Sequence, residues 1–218
     1  MPYAPDHKQT TRTRILESAR KLFNRHGFDT VSIEDIMADA GLTRGGFYYH
    51  FASKEELFAE SLSHYAACNS PEVWIGDNTG IADPERTLAA MMVQAYLSED
   101  HLAALDDHCP LIALPSDVAR SGPGVRQVYH RLVSGMVETF RAGMADTTDP
   151  DEREKKALAM AALCVGGMVL ARTVEDEGMR RKAREAACEA ALSIGGLNPE
   201  FSVPTAAAAP VSYTHLRA

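Results

Sequence analysis

Apolar residues recur along this chain at helical spacing and nowhere with the two-residue alternation of a strand. Between Thr10 and His26 they fall at Ile15, Ala19, Leu22 and Phe23, one face of a helix, and Gly27 follows where a left-handed cap ends such a run. Ser32-Ile33-Glu34-Asp35 reads as a capping box, so a second helix is expected to run to about Ala40. Gly41 supplies a tight turn, Leu42 points to the core, and Thr43 can cap a short third helix through Tyr49 or His50. Ser53 caps a fourth helix carrying Leu57, Phe58 and Leu62. Phe47 and Phe51, four residues apart, are expected to face inward and mount the third helix.

A stretch rich in Pro, Gly, Asn and Asp between Asn69 and Asp83 marks a connection at a domain border. Helices then follow from Asp83-Pro84 toward His101, from Leu111 to Arg120, from Pro123 to about Ala145, from Asp149-Pro150 to about Glu177, and from Met179 to Ile194, where Gly195-Gly196 stops the last. The fold class is therefore all-α. The expected organisation is a small helical head at 9–62 with a helix-turn-helix at about 32–51, a larger helical body at 63–198, and a disordered tail at 199–218. The tail ends in PVSYTHLRA, which resembles translated sequencing-adapter read-through.

Composition excludes several classes. A 45% hydrophobic, 24% charged chain of 218 residues is neither fibrous nor unfolded. Cys68, Cys109, Cys164 and Cys188 stand far apart without a CxxC pair, against both a zinc ribbon and a disulfide framework. No apolar run follows the initial charges, so a cytoplasmic protein is expected. The uncharged stretch Ala157 to Ala171 is shorter than the roughly 20 residues that cross a bilayer, and no membrane is expected. Its small residues Ala157, Ala161, Cys164, Gly167 and Ala171 suit a close helix pair, either at a subunit interface or within the chain. No GxSxG, HExxH, GxGxxG or P-loop occurs, so no enzyme and no cofactor are expected.

The net charge of −8 divides unevenly: residues 1–54 carry eight Lys/Arg against six Asp/Glu, leaving −10 for the remainder. A polyanion must meet the N-terminal part. There the third helix offers both kinds of group that duplex recognition needs, phosphate contacts for register and a base-edge reader for sequence. Thr43 and the helix amides suit a phosphate, Arg44 can fork onto guanine, Gly45 and Gly46 allow close approach, and Tyr48, Tyr49 and His50 project outward.

The segment SIEDIMADAGLTRGGFYYHFASKEELF resembles the signature of the TetR/AcrR family of transcriptional regulators, the likeness running from about Thr10 to about Leu62. It implies DNA contacts at Ser32, Thr43, Arg44, Gly45, Gly46, Tyr48, Tyr49, His50 and, as a phosphate lysine at the next helix, Lys54. It further implies a homodimeric repressor on palindromic double-stranded operator DNA, released by a small, mostly apolar effector bound in the body, which also dimerises. HCPLIALPSDVARSGPGVR resembles a subgroup whose matching cysteine, here Cys109, senses electrophiles in some members; Asp106 and Asp107 would oppose a thiolate there, and a structural Cys109 is the preferred reading. A non-sensing architectural DNA-binding dimer is a further alternative. Tyr96, Cys109, Val118, Met136, Phe140, Cys164 and Met168 are candidates to line the effector pocket or plain core. His101, His108, Asp106, Asp107 and Cys109 are read as a solvated acidic helix end and not as a metal site.

Overall fold

A computed structural model describes residues 5–69, 84–144 and 149–197; the connection read after Asn69 and the Ala- and Pro-rich tail fall outside them. In chain order the helices are α1 (Pro5–His26), α2 (Ile33–Asp39), a 3-10 segment (Arg44–Tyr49), α3 (Lys54–Cys68), α4 (Pro84–Tyr96) and α5 (Glu99–Ala103). A 3-10 turn (Leu105–Asp107) leads to α6 (Pro110–Ala113), α7 (Pro115–Arg120), α8 (Pro123–Gly143), α9 (Pro150–Thr173) and α10 (Glu177–Gly195). Among the described residues there is no strand.

The caps explain most boundaries. Gly27 and Gly41 adopt φ of +78° and +66°, left-handed values that end α1 and turn the chain after α2, and Gly196 does the same after α10 at +60°. Ser32 accepts from the Asp35 amide at 3.1 Å while its own amide donates to the Asp35 carboxylate at 2.9 Å, the reciprocal box that starts α2.

Two expected helices are broken. The one read from Leu111 to Arg120 divides at Leu114, because Pro115 has no N–H to give the Leu111 carbonyl; the Tyr129 hydroxyl donates to that oxygen at 3.2 Å instead. The one read toward His101 stops at Tyr96, and the Ser98 hydroxyl then accepts from the His101 amide at 3.1 Å to begin α5.

The described residues fold as two compact units, one holding 5–69 together with 104–134, the other holding 84–103 with 135–144 and 149–197. The border near residue 62 expected from sequence therefore does not enclose the N-terminal unit. Its core joins Phe23, Ile36, Met37, Phe47, Phe51 and Phe58 of the head to Leu114, Val118, Val125 and Val128. Phe28 stacks on Phe58 at 4.8 Å and tilts against Phe23 at 5.6 Å, filling the α1–α3 junction. Val118, a candidate for the effector pocket, is part of this head core, 4% exposed.

In the second unit α9 and α10 pack side by side. Ala157, Ala161, Cys164, Gly167 and Ala171, candidates for a subunit interface, face inward and are buried within the single chain. A Cβ on Gly167 would lie 2.5 Å from that of Ala187, so the glycine is what lets α10 approach.

Truncating Leu114, which is 2% exposed in the shared core, to alanine is expected to lower stability by about 2–5 kcal/mol. Urea unfolding followed by circular dichroism measures it; a change below 1 kcal/mol would show that the segment after residue 104 does not complete the head.

Candidate nucleic-acid interface

The short third helix expected here is a 3-10 helix at 44–49, in keeping with two consecutive glycines that favour helix poorly and with the short length at which 3-10 geometry persists. It has few bonds of its own, so its position comes from its aromatic side chains. Phe47 and Phe51 are 0% and 2% exposed, with ring centroids 5.9 Å apart, in the same core as Leu57 and Phe58. Tyr48 and Tyr49 project the other way, 64% and 69% exposed.

Thr43 occupies the N-cap position and is exposed, but its hydroxyl makes no capping bond, contrary to the expectation that it caps the segment. Neither Gly45 nor Gly46 is required by the chain's own packing: a Cβ at Gly45 would meet nothing within 4 Å, and one at Gly46 only the Met37 methyl at 3.7 Å. Both have ordinary negative φ. Arg44 is exposed and pairs with Glu34 of α2, an exposed ion pair of the kind that contributes little and exchanges readily.

Lys54 is placed differently from the expected phosphate lysine. Its ammonium donates to the carbonyls of Phe28 (2.8 Å) and Val31 (2.9 Å) and lies 4.3 Å over the Phe28 ring. It therefore ties the α1–α2 loop to the start of α3. Ser32 is likewise engaged in its capping box, where its hydroxyl and then its amide hold the Asp35 carboxyl below its usual pKa.

Sequence reading missed the basic start of α1. Lys8 stands 4.6 Å over the Tyr49 ring, and Arg12, paired with Glu60, stands 4.4 Å over Phe51. The signal was present in their spacing, Lys8 and Arg12 being four residues apart on one helix face. His50 packs edge-on against Tyr49, its Nδ1 buried without a partner; burial, then the charges of Lys8 and Arg12, lower its pKa. The outward surface is thus a cationic and phenolic patch made by α1 and the 44–49 segment, on a rigid apolar mount.

The residues expected to line an effector pocket are divided between the two units. Cys109 (6% exposed) and Val118 belong to the N-terminal unit; Tyr96, Met136, Phe140, Cys164 and Met168 are buried in the second. Burial pushes the Cys164 thiol up, away from thiolate character. The second unit has a groove of about 500 Å³ along α10, lined by Leu97, Arg184, Cys188, Leu192 and Leu197, none of them among the candidates. Asp106 and Asp107 do not form a solvated acidic end: Arg25 and Arg20 of α1 pair with them, and His108 is fully buried.

A helical head with a capped helix, a glycine turn and a rigidly mounted recognition segment, followed by a helical body, is the architecture of helix-turn-helix proteins. Residues 15–61 match the family model described as bacterial regulatory proteins, tetR family. The uncharacterized HTH-type transcriptional regulator YfiR of Bacillus subtilis (strain 168) is 40% identical over 121 residues, 46% of this chain and 59% of that protein. The HTH-type transcriptional repressor NicS of Pseudomonas putida KT2440 is 39% identical over 83 residues, 38% of each chain. A TetR transcriptional regulator from Chloroflexus aurantiacus J-10-FL shares the fold with a TM-score of 0.68 at 24% identity, over 84% of this chain and 95% of that one. The N-terminal head is therefore similar to that of tetR-family regulatory proteins. The chain spans less than two thirds of the length of the curated relatives it matches.

Replacing Lys54 with methionine, which keeps the stem and removes both carbonyl bonds, is expected to lower stability by about 1–3 kcal/mol in urea unfolding. His50 gives a pH dependence of fixed sign. Its folded pKa lies below the ordinary 6.5, so near and below that pH the unfolded chain binds more protons and stability falls with acidification. His50→Gln should flatten that part of the stability profile, and an unchanged profile would remove the assignment.

Proposed function

We propose that this chain is a homodimeric transcriptional regulator that sets the 43–50 surface of each head in a major groove of palindromic duplex DNA and represses until a small, mostly apolar effector binds. The observation that carries the DNA-binding reading is the pair Gly45-Gly46 on a buried aromatic mount. Nothing in the chain needs glycine at either position, and both lower helix stability, so the requirement lies outside the chain, where a close-approaching duplex supplies it. Thr43, Tyr48, Tyr49, His50, Lys8 and Arg12 face phosphates in this reading, while Arg44 leaves Glu34 to read a base edge. Ser32 and Lys54 act chiefly by holding α2 and the α1–α2 loop in place.

The dimer forms on the face of α9 opposite its buried stripe. Leu158, Ala162, Gly166 and Leu170 repeat every four residues and are exposed, the two leucines by 47% and 56%. A Cβ at Gly166 would meet nothing within 4 Å, so this glycine too is free to admit a second helix. Effector binding falls to the buried apolar residues Tyr96, Met136, Phe140 and Met168 of the second unit.

Enrichment of bound duplexes from a random pool tests the reading, the expected product being a palindrome with half-sites about one helical turn apart. Arg44→Ala should relax base preference at one position of each half-site and cost about 1–3 kcal/mol, whereas Tyr48→Ala should weaken all sequences alike. Gly45→Ala should leave the fold as stable or slightly more so while reducing operator affinity; unchanged affinity would contradict close approach. Leu170→Glu should convert the dimer to a monomer in sedimentation and abolish binding to the full palindrome.

A further inference from the structure

One set of polar contacts is used by none of this. Along its C-terminal half, α1 holds the turn at 105–108. Arg20, 3% exposed, donates to the Asp106 carbonyl (2.6 Å) and the Asp107 carboxylate (2.7 Å); Asn24 donates to the carbonyls of Asp106 (3.2 Å) and His108 (2.9 Å); Arg25 forks onto the Asp106 carboxylate. Earlier on the same helix, Arg14 donates to the Ala40 carbonyl and Ser18 reaches the Ile36 carbonyl at 3.0 Å and the Asp39 carboxylate. Ala40 is the C-cap of α2 and adjoins the Gly41 turn that leads into the 44–49 segment.

We propose that α1 is a rigid coupling rod whose two sets of polar contacts, Arg14 with Ser18 at mid-helix and Arg20 with Asn24 nearer its C-terminus, fasten the turn before Cys109 to the end of α2, so that Arg20 and Asn24 are positioning residues for the 44–49 segment. Three features support it. The bonds of both sets run to backbone carbonyls, which move only if the main chain moves. Arg20 is a buried charge held by a carboxylate and a carbonyl, and such a group tolerates little displacement because an uncompensated buried charge is costly. The rod is one continuous helix, so a shift at 105–108 is carried to α2 as a rigid-body movement without needing a chain of soft side-chain contacts. The turn adjoins Cys109 and the Pro110 helix, so a displacement of the 105–108 turn itself reaches the recognition surface by this route, whereas the Tyr129 bond to the Leu111 carbonyl lies outside it. The consequence for DNA rests on the function proposed above; the mechanical coupling does not.

The full-length protein tests both parts. Amide hydrogen exchange of Asp107→Asn and Asn24→Ala should rise at least fivefold over residues 36–46 and stay unchanged in α9 and α10. Tyr129→Phe, which loses a bond of the same segment that does not involve α1, should leave residues 36–46 within twofold of wild type. Equal responses in all three variants, or none at 36–46 in the first two, would overturn the coupling. On the duplex enriched by the wild-type protein, inserting one base pair between half-sites should cost the wild type at least tenfold and the two variants less than threefold, with single half-site binding unchanged within twofold. If the wild type enriches no sequence while the exchange result holds, the DNA-binding reading fails and the coupling stands; wild-type spacing dependence in both variants overturns their positioning role.

Discussion

The outward surface of the head depends on the burial of Phe47 and Phe51. A six-residue 3-10 segment containing two glycines cannot hold its own shape in water, since its few bonds do not offset the backbone entropy of ordering it. Two rings locked among Ile36, Met37, Leu57 and Phe58 supply the missing constraint and fix which way Tyr48 and Tyr49 point. Under the proposed function the glycines serve reach, because stability is provided from beneath.

That core is not contained in the first sixty residues. Leu114, Val118, Val125 and Val128 close it from far along the chain, and the buried Arg20 and Asn24 add polar bonds to the same segment. The head and residues 104–134 therefore form one packed body, in which apolar contact supplies stability and the charged contacts fix register. An arginine as buried as Arg20 needs its bonds in place, whereas a leucine tolerates small slides; the two kinds of contact do different work.

What the sequence revealed follows from how local each determinant is. The capping box at Ser32, the glycine ends at 27, 41 and 196, the inward Phe47 and Phe51 and the all-helical class were legible because each depends on residues within one turn of the other. Pro115 is an equally local signal, and the expectation of one helix from Leu111 to Arg120 took no account of it. The partners of Lys54, Asp106, Asp107 and the stripe from Ala157 to Ala171 were not legible, for a different reason. They are the carbonyls of Phe28 and Val31, the guanidinium groups of α1, and Ala187 with its neighbours on α10, and nothing in local spacing announces them. The stripe was read as suiting a close helix pair, at a subunit interface or within the chain, and it packs on α10 within the chain.

The same tertiary pairing changes what the charge of the head means. Eight basic residues lie in the first fifty-four, yet Arg14, Arg20, Arg25 and Lys54 are held by internal carbonyls and carboxylates. Arg12 and Arg44 face the carboxylates of Glu60 and Glu34 at the surface. A duplex meeting this surface gains less than the formal charge implies, because each contact to Arg44 leaves Glu34 unpaired beside a phosphate. Non-specific attraction is therefore self-limiting. Under the proposed function, what remains favourable is an exchange in which Arg44 finds a partner better than Glu34, as a guanine edge offers two acceptors matched to the guanidinium fork.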